Sequence, residues 1–290
     1  MEVNITHPLS EAFSRIGQLD IVADVGMMDG TYFSANRWAH ADISYLEQAL
    51  TKQASDYPNM DKRTQASYFI NEYAWYVPLS ALASYLLIRR VPDVSRDNMA
   101  LRSATYQWEE DGESGEAERL DVRYLSGTFA CLADDVAATH PDAVVVPDDA
   151  ALLNWLRVRL EAHMKPIIER VYRLSKLSKN AQWRLVADAS AGQLLNLGKK
   201  IKQVDRAQAE GLAFVKVNGS PLNNSQTGYI TLTCAGHTDT FRERGGCCRY
   251  YTVSAEGDYC GTCVLRTPEN RKQWFLNHME RTYNSGVKSC

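Results

Sequence analysis

Four of the seven cysteines in this chain lie close together, at Cys247, Cys248, Cys260 and Cys263. Clustered cysteines form disulfides, hold a zinc ion or ligate an iron–sulfur cluster. A chain of 290 residues buries a substantial core without covalent crosslinks, and its first residues contain no apolar run typical of an export signal. We therefore expect a cytoplasmic protein whose thiols stay reduced and serve metal or redox chemistry.

The spacing C-C-x11-C-x2-C favours an iron–sulfur cluster but leaves zinc open. Structural zinc sites usually contain two C-x2-4-C pairs, and here only Cys260 and Cys263 form one. Cys247 and Cys248 are neighbours, and neighbouring side chains of an extended backbone point to opposite faces. A 2Fe-2S cluster is larger than one ion, so its four thiolates need not converge on one atom. The preceding Gly245–Gly246 would help the backbone to turn.

The segment R-G-G-C-C-R-Y-Y, followed by Y-C-G-T-C-V-L, resembles the C-terminal signature of the FhuF-type siderophore-iron reductases. In that family an adjacent cysteine pair precedes a C-x-x-C pair, and all four cysteines ligate a 2Fe-2S cluster. The resemblance covers about residues 244–265 and implies the same ligand set and cofactor here. The gap between the pairs has eleven residues, and Val264 stands where a proline often follows the last cysteine.

The resemblance implies an oxidoreductase that passes one electron from the cluster to siderophore-bound Fe(III), most often in a hydroxamate-type chelate, and releases Fe(II). Oxygen donors hold Fe(III) more tightly than Fe(II), so one electron loosens the chelated ion. Thiolate-ligated 2Fe-2S centres of the plant type lie near roughly −400 mV and can supply that electron. An outer-sphere transfer needs no general acid, base or nucleophile, so we assign no catalytic residue.

The electron must come from another protein, because the sequence contains neither G-x-G-x-x-G nor G-x-x-x-x-G-K-[ST]. We expect a ferredoxin, a flavodoxin or a reductase as donor, and a monomeric chain. Arg242, Arg244, Arg249 and Arg266 lie near the cysteines and are candidates for contacts with substrate or donor, with a solvated surface charge as the alternative for each. An iron–sulfur carrier or sensor that binds no chelate, and a zinc-stabilised binding module, remain alternative functions.

Charge and hydropathy exclude other classes of partner. The formal net charge is −3, with 32 basic and 35 acidic residues, which does not favour a nucleic-acid-binding protein. The most apolar window, residues 69–88, is interrupted by Glu72 and Pro78. A spanning helix needs about 20 predominantly apolar residues, so we expect no stable membrane insertion.

The elements that must position the cysteines follow from periodicity. Apolar spacing of three and four residues predicts helices within 41–57 and 61–90. Two β-rich segments on either side of the acidic stretch 109–117 predict a hairpin. Short strands are expected at 126–135 and 142–147, followed by the first long helix. It begins near Asp148, and Pro166 should bend or divide it.

A second long helix is predicted for about 180–210, where the small residues Ala187–Gly192 permit close approach of another element. Strands are expected at 214–219 and 229–234. A C-terminal helix at 268–282 should pack back on the body through its apolar residues Trp274, Phe275 and Met279. Cys131, Cys234 and Cys290 are interpreted as free thiols without a function.

The sequence therefore predicts an α+β protein. It has a helix-rich body with a β-hairpin and small sheet, and a small C-terminal iron–sulfur module. We place the boundary near residue 212. Residues 1–212 form the mixed helical and β body, which we expect to bind the ferric siderophore, and residues 213–290 form the 2Fe-2S module.

Overall fold

The computed structural model describes residues 7–55, 57–110 and 113–283. Its elements make it an α+β protein with small sheets, which confirms the predicted fold class. Contacts divide the chain into two units, Met1–Leu46 with Tyr73–Ile167 and Glu47–Glu72 with Ile168–Cys290. The division into a chelate-binding body, 1–212, and a cluster module, 213–290, concerns function and stays a prediction.

The described residues form helices throughout the chain, and most of these helices lie where the apolar periodicity predicts them. In chain order the helices are α1 (Pro8–Gly17), α2 (Arg37–His40), α3 (Ile43–Lys52), α4 (Lys62–Tyr76), α5 (Leu79–Ile88), α6 (Asp149–Ser175), α7 (Lys179–Lys200), α8 (Val204–Val215) and α9 (Pro268–Tyr283). Among these residues no helix is both long and apolar enough to cross a membrane.

The strands build three small sheets. They are β1 (Ala23–Val25), β2 (Phe33–Ser34), β3 (Arg90–Pro92), β4 (Met99–Glu110), β5 (Glu113–Tyr124), β6 (Phe129–Leu132), β7 (Ala143–Val146), β8 (Gly228–Cys234) and β9 (His237–Glu243). The sheet orders are β1-β5-β4-β2, β3-β6-β7 and β8-β9.

The first unit is built on the long antiparallel hairpin β4–β5, whose register pairs Met99 with Tyr124. The base of the hairpin is buried, and Phe13 of α1 stacks on Tyr124 with ring centroids 5.4 Å apart. This confirms the predicted hairpin, although the strands extend further into the acidic stretch than expected. The tip, residues 111–112, lies outside the described residues.

Helix α6 begins at Asp149, as predicted, and continues as one α-helix with Pro166 inside it. Division of the helix at the proline is therefore wrong. Proline has no N–H and leaves the carbonyl four residues earlier without its helical partner. In this helix Arg96 donates through Nη1 to the carbonyl oxygen of Ala162 and, at 3.0 Å, to that of His163. An external donor thus replaces the missing helical hydrogen bond.

The second unit differs from the prediction in two elements. The expected helix 180–210 is divided into α7 and α8, because Lys202 adopts a left-handed backbone with φ of 58°. The expected strand at 214–219 is wrong, since Phe214 and Val215 are the last residues of α8. Short apolar runs cannot be assigned to helix or strand by periodicity alone.

The hairpin β8–β9 confirms the strand predicted at 229–234 and adds β9, which the sequence analysis did not predict. Helix α9 packs on this hairpin, where its buried Phe275 and Met279 contact Leu232 and Cys234. The sequence predicts that this apolar face packs on the body, residues 1–212. The buried residues of α9 pack on the hairpin β8–β9 instead. Cys234 is disulfide-bonded, so its assignment as a free thiol is wrong, whereas Cys131 is free and buried.

Candidate metal centre

The two cysteine pairs come together in the second unit. Cys247 and Cys248 follow β9, and Cys260 and Cys263 flank a turn in which the Cys263 N–H donates to the Cys260 carbonyl at 3.1 Å. The Sγ atoms of Cys248 and Cys260 lie 3.5 Å apart. Two sulfurs on one tetrahedral metal, each at about 2.3 Å, would be about 3.8 Å apart, so these two can share a metal atom.

The cysteines are suited to hold a cofactor near the surface. All four are free of disulfide bonds; Cys263 is buried and the other three are half-buried. The N–H of Arg249 donates to the Sγ of Cys247, and the N–H of Leu265 donates to the Sγ of Cys263, both at 3.4 Å. Hydrogen bonds of this kind stabilise thiolates and raise the reduction potential of an iron–sulfur cluster.

The thiols themselves are strongly coupled. A hydrogen bond with Cys260 lowers the pKa of Cys248, aided by the nearby charge of Arg244. The same hydrogen bond, together with burial, raises the pKa of Cys260. Burial also raises the pKa of Cys247. The crowded sulfurs therefore resist simultaneous ionisation unless cations balance them, and bound metal ions would do so by displacing the protons.

Helix α4 fixes the adjacent cysteine pair. The hydroxyl of Ser67 donates to the carbonyl of Cys248 at 2.7 Å. The guanidinium of Arg249 donates to Thr64 Oγ1 at 3.0 Å and to Asp61 Oδ2 at 2.8 Å. Arg249 itself has a left-handed backbone with φ of 62°. The turn that the pair requires is therefore made just after it, rather than at the preceding glycines.

Gly246 serves a different purpose, which is close approach to helix α7. A Cβ at this position would lie 2.9 Å from the backbone nitrogen of Leu185. The N–H groups of Gly245 and Gly246 donate to the two carboxylate oxygens of Asp188, each at 2.8 Å. The buried carboxylate of Asp188 in α7 thus binds the backbone immediately before Cys247.

The four candidate arginines have distinct environments. Arg266 donates to the carbonyls of Cys260, at 3.1 Å, and Tyr259, at 2.7 Å, and so supports the second cysteine pair. Arg249 holds the first pair through α4. Arg242 is half-buried on β9, and Arg244 is buried just after β9. Their predicted contacts with substrate or donor remain a prediction.

Arg244 provides a test of whether the residues fit an anionic cluster. It is 7 % exposed, and its Nε and Nη2 have no hydrogen-bond acceptor among the described residues. Burial lowers its pKa, but the charges of Cys248 and Asp188 outweigh burial and raise it overall. Buried donors normally have partners. Sulfur atoms of a thiolate-ligated cluster would supply the missing acceptors, so the site fits the cofactor.

Arg242 confirms the predicted close approach at the small residues of α7. Its Nη1 donates to the carbonyl of Asp188 at 2.6 Å, and a Cβ on Gly192 would lie 2.4 Å from that nitrogen. Burial and the neighbouring charge of Arg244 lower the pKa of Arg242 to about 10. Arg242 and Arg244 therefore both lie beside Asp188 of α7.

A cleft of about 390 Å³ reaches the first cysteine pair from the surface. Its lining includes the first turns of α7 with Arg184, and also Cys247, Val264 and Leu265. Arg184 donates to Gln226 Oε1 at 3.0 Å. The cleft has both polar and apolar lining residues, and it gives an external molecule access to Cys247.

A second group of metal-ligating residues lies in the first unit, at His7, His140 and Asp142, with ligand atoms within 4.8 Å of one another. The Leu9 N–H donates to His7 Nδ1, and the Asp142 N–H donates to His140 Nδ1, at 3.1 and 3.2 Å. Each neutral imidazole must then carry its proton on Nε2. His7 Nε2 uses that proton for Asp142, at 3.2 Å. These contacts account for the group without a metal.

Comparison with known proteins bears on the cysteine loop alone. Residues 244–265 match the family model of the FhuF 2Fe-2S C-terminal domain. This segment is similar to a FhuF-type 2Fe-2S domain. The cofactor is therefore a 2Fe-2S cluster, as predicted, and the chain has a redox role. No curated protein matches the chain.

Sequence reasoning found the cysteines of the FhuF-type domain but missed the residues that hold them. Asp188, Ser67 and Thr64 are distant in sequence from the motif. A signal existed for Asp188, because it is the single charged residue in the otherwise small and apolar run 185–192. Charges almost never occur fully buried without a partner. No comparable signal marks Ser67 or Thr64.

Proposed function

We propose that the protein is a ferric-siderophore reductase, with Cys247, Cys248, Cys260 and Cys263 as the ligands of its 2Fe-2S cluster. The observation that carries the proposal is the convergence of these cysteines within the segment that matches the FhuF-type domain. When bound, the cluster supplies one electron, which reduces chelated Fe(III) to Fe(II), and a donor protein then restores that electron.

The protein residues hold and cover the cofactor rather than react with substrate. The backbone donors at Arg249 and Leu265 bind thiolate sulfurs, and Arg266 stabilises the second loop. Half-buried cysteines keep the cluster within reach of external molecules while limiting its contact with water. These features suit outer-sphere electron transfer, in which positions and electrostatics determine the rate.

A hydroxamate-type chelate is the substrate class that the local charges favour. Three hydroxamates each carry one negative charge, so their Fe(III) complex is neutral, whereas a tris-catecholate complex is trianionic. Arg249 pairs with Asp61, Arg266 donates to backbone carbonyls, and the charge of the buried Arg244 is balanced by Asp188. A neutral chelate needs no additional cation, and the apolar wall formed by Val264 and Leu265 can contact its carbon backbone.

The direct test is anaerobic stopped-flow mixing of the reduced protein with ferric hydroxamate siderophores. We expect oxidation of the reduced protein to be faster than with an Fe(III) chelate that is not a siderophore, and to produce Fe(II). Equal rates with both chelates would favour the alternative of an iron–sulfur carrier or sensor. The gallium(III) siderophore, which cannot be reduced in this way, is the control.

A variant pair tests the cleft beside Cys247 as the place of approach. Leu265 lines this cleft and is half exposed, so Leu265→Asp adds a charge without emptying the core. We expect it to lower the second-order rate for a neutral chelate and leave the cluster spectrum unchanged. Leu212→Asp, at an exposed position on α8, is the matched control. Equal rates in both variants would contradict approach through the cleft.

Residues 1–212 are proposed as the chelate-binding body. Hydrogen–deuterium exchange of the full chain with and without a gallium(III) siderophore tests this division. Protection within 1–212, together with protection around Leu265, is the expected result. Protection confined to 213–290, or none at saturating chelate, would contradict it.

The proposal includes an external donor such as a ferredoxin, a flavodoxin or a reductase, a cytoplasmic location and a monomeric state. A reducing compartment suits cysteines that must stay free to ligate the cluster. The donor is tested by reduction of the oxidised protein with purified candidates. Cell fractionation tests the location, and light scattering after size exclusion tests the monomeric state.

A further inference from the structure

We propose that Asp188 and Arg244 form a buried pair that positions the cluster-ligating loop and sets the reduction potential of the cluster. Neither residue is a ligand, and both act through the cysteine loop. The inference rests on the proposed ligand set. It goes further by assigning opposite electrostatic effects to two particular side chains.

Asp188 is the fixed end of the pair. It is fully buried in α7, and three donors hold its carboxylate. Thr227 donates through Oγ1 at 2.7 Å, and the N–H groups of Gly245 and Gly246 donate at 2.8 Å each. These bonds stabilise the ionised carboxylate and fix the backbone before Cys247. The negative charge therefore has a defined position beside the loop.

Arg244 is the end that faces the cysteines. Its Nε lies 3.6 Å from Asp188 Oδ2, which is ion-pair distance but too long for a hydrogen bond. Asp188 thus balances the charge of Arg244 without occupying its Nε and Nη2 donors, which have no acceptor among the described residues. Besides Asp188, the thiols of Cys248, Cys260 and Cys247 attract this guanidinium when they are ionised, and they raise its pKa.

This geometry gives Arg244 a function that a surface arginine would not have. A buried guanidinium loses its hydration, so unmet donors cost free energy unless an anion accepts them. A four-cysteine 2Fe-2S cluster is an anion whose negative charge increases by one on reduction. Arg244 therefore stabilises the reduced state more than the oxidised state and raises the potential. Asp188 opposes this effect and lowers it.

The test measures the potential of the loaded protein by anaerobic redox titration followed by electron paramagnetic resonance. Arg244→Gln removes the cation and should lower the potential. Asp188→Asn removes the anion and should raise it. We expect each change to shift the reduction equilibrium by about tenfold, which is 59 mV for one electron. In the double variant the shifts should largely cancel.

Two further variants separate electrostatics from packing. Arg244→Lys keeps the charge and should retain a potential closer to that of the parent than Arg244→Gln does, with an altered resonance spectrum because the guanidinium donors are lost. Lys272→Gln removes one positive charge from an exposed position on α9 and should leave the potential within twofold of the parent equilibrium.

The outcomes are distinct. If Arg244→Gln does not retain its cluster, the direction of the Asp188→Asn shift decides. A rise supports the proposal, and a fall or no change overturns it. Shifts of the same sign in Arg244→Gln and Asp188→Asn, or loss of the cluster from both and from Arg244→Lys while Lys272→Gln stays loaded, overturn the tuning role. A protein without a 2Fe-2S cluster would instead contradict the proposed function itself.

Discussion

The two groups of metal-ligating side chains in this protein differ in whether their lone pairs are free. In the first unit the Nδ1 lone pairs of His7 and His140 accept backbone N–H groups, and His7 Nε2 contacts Asp142. In the second unit Cys247, Cys248, Cys260 and Cys263 crowd together without forming disulfides. Proximity of ligand atoms alone does not identify a metal site. The hydrogen bonds that these atoms already make must be considered as well.

Two buried groups able to carry a positive charge show the same contrast. His163 donates through Nδ1 to the Val94 carbonyl at 2.8 Å and accepts from the Tyr73 hydroxyl at 2.7 Å. Both nitrogens are used, and the ring is neutral. Arg244 is charged and retains donors without acceptors among the described residues. Both nitrogens of His163 are thus used within the protein, whereas Arg244 has donors that a bound anion could use.

The largest effect is expected from removal of a cluster ligand. Cys260→Ala should lose the visible absorption, iron and sulfide of the cluster, because three thiolates cannot complete the four-cysteine site. Cys131→Ala removes a free, buried cysteine of the first unit and should leave iron and sulfide unchanged. Metal and sulfide analysis measures both, and a Cys260→Ala protein with full iron content would contradict the ligand assignment.

A methyl group at Gly246 should have the next largest effect. In Gly246→Ala the new Cβ meets the backbone of α7, and overpacking of this kind costs about 1–3 kcal/mol. We expect incomplete cluster occupancy and a lower unfolding temperature. Gly228→Ala adds the same group where the nearest atom is 4.0 Å away and is the matched control. Equal occupancy in the two variants would contradict the requirement for close packing of Gly246 on α7.

Lowering the pH should reduce the stability that depends on a neutral His163. Burial lowers its pKa from 6.5 to about 4, so the unfolded chain binds this proton more readily than the folded chain. The contribution of His163 to stability is complete above pH 6.5 and is lost as the pH falls toward 4. From pH 7 to pH 5 we expect a loss of about 2 kcal/mol from this residue.

Denaturant unfolding of the parent and of His163→Gln at both pH values measures this contribution. The variant cannot gain the proton. Between pH 7 and pH 5 its free energy of unfolding should therefore fall by about 2 kcal/mol less than that of the parent. Parallel losses in the two proteins would show that His163 is not held neutral.

The smallest effect is expected at the exposed ion pair that anchors Arg249. Asp61 is half exposed, and pairs of this kind contribute about 0–1 kcal/mol. Asp61→Asn should therefore lower stability by less than about 1 kcal/mol and leave the iron content unchanged, because Arg249 still donates to Thr64. Substantial loss of iron would mean that this ion pair holds the loop more strongly than its exposure indicates.

Local sequence patterns predicted many of the helices and strands. Features that depend on contacts between distant residues could not be predicted from these patterns. Periodicity gave the helices α3 to α6, the hairpin β4–β5 and the strand β8, because each depends on its own residues. The break at Lys202 and the helical ending of α8 depend on context that periodicity does not contain. Likewise, the resemblance carried by the local cysteine motif indicated the cofactor, whereas the contact of Asp188 with Gly245 and Gly246 joins positions more than fifty residues apart.

The central claim is that these four cysteines hold a 2Fe-2S cluster. Its most direct test is metal and acid-labile sulfide analysis of anaerobically purified protein, combined with electron paramagnetic resonance after reduction by dithionite. The account predicts iron and sulfide in equal amounts, about two of each per chain, and a one-electron signal from a reduced 2Fe-2S centre. One zinc ion per chain, with no sulfide and no signal after reduction, would contradict it.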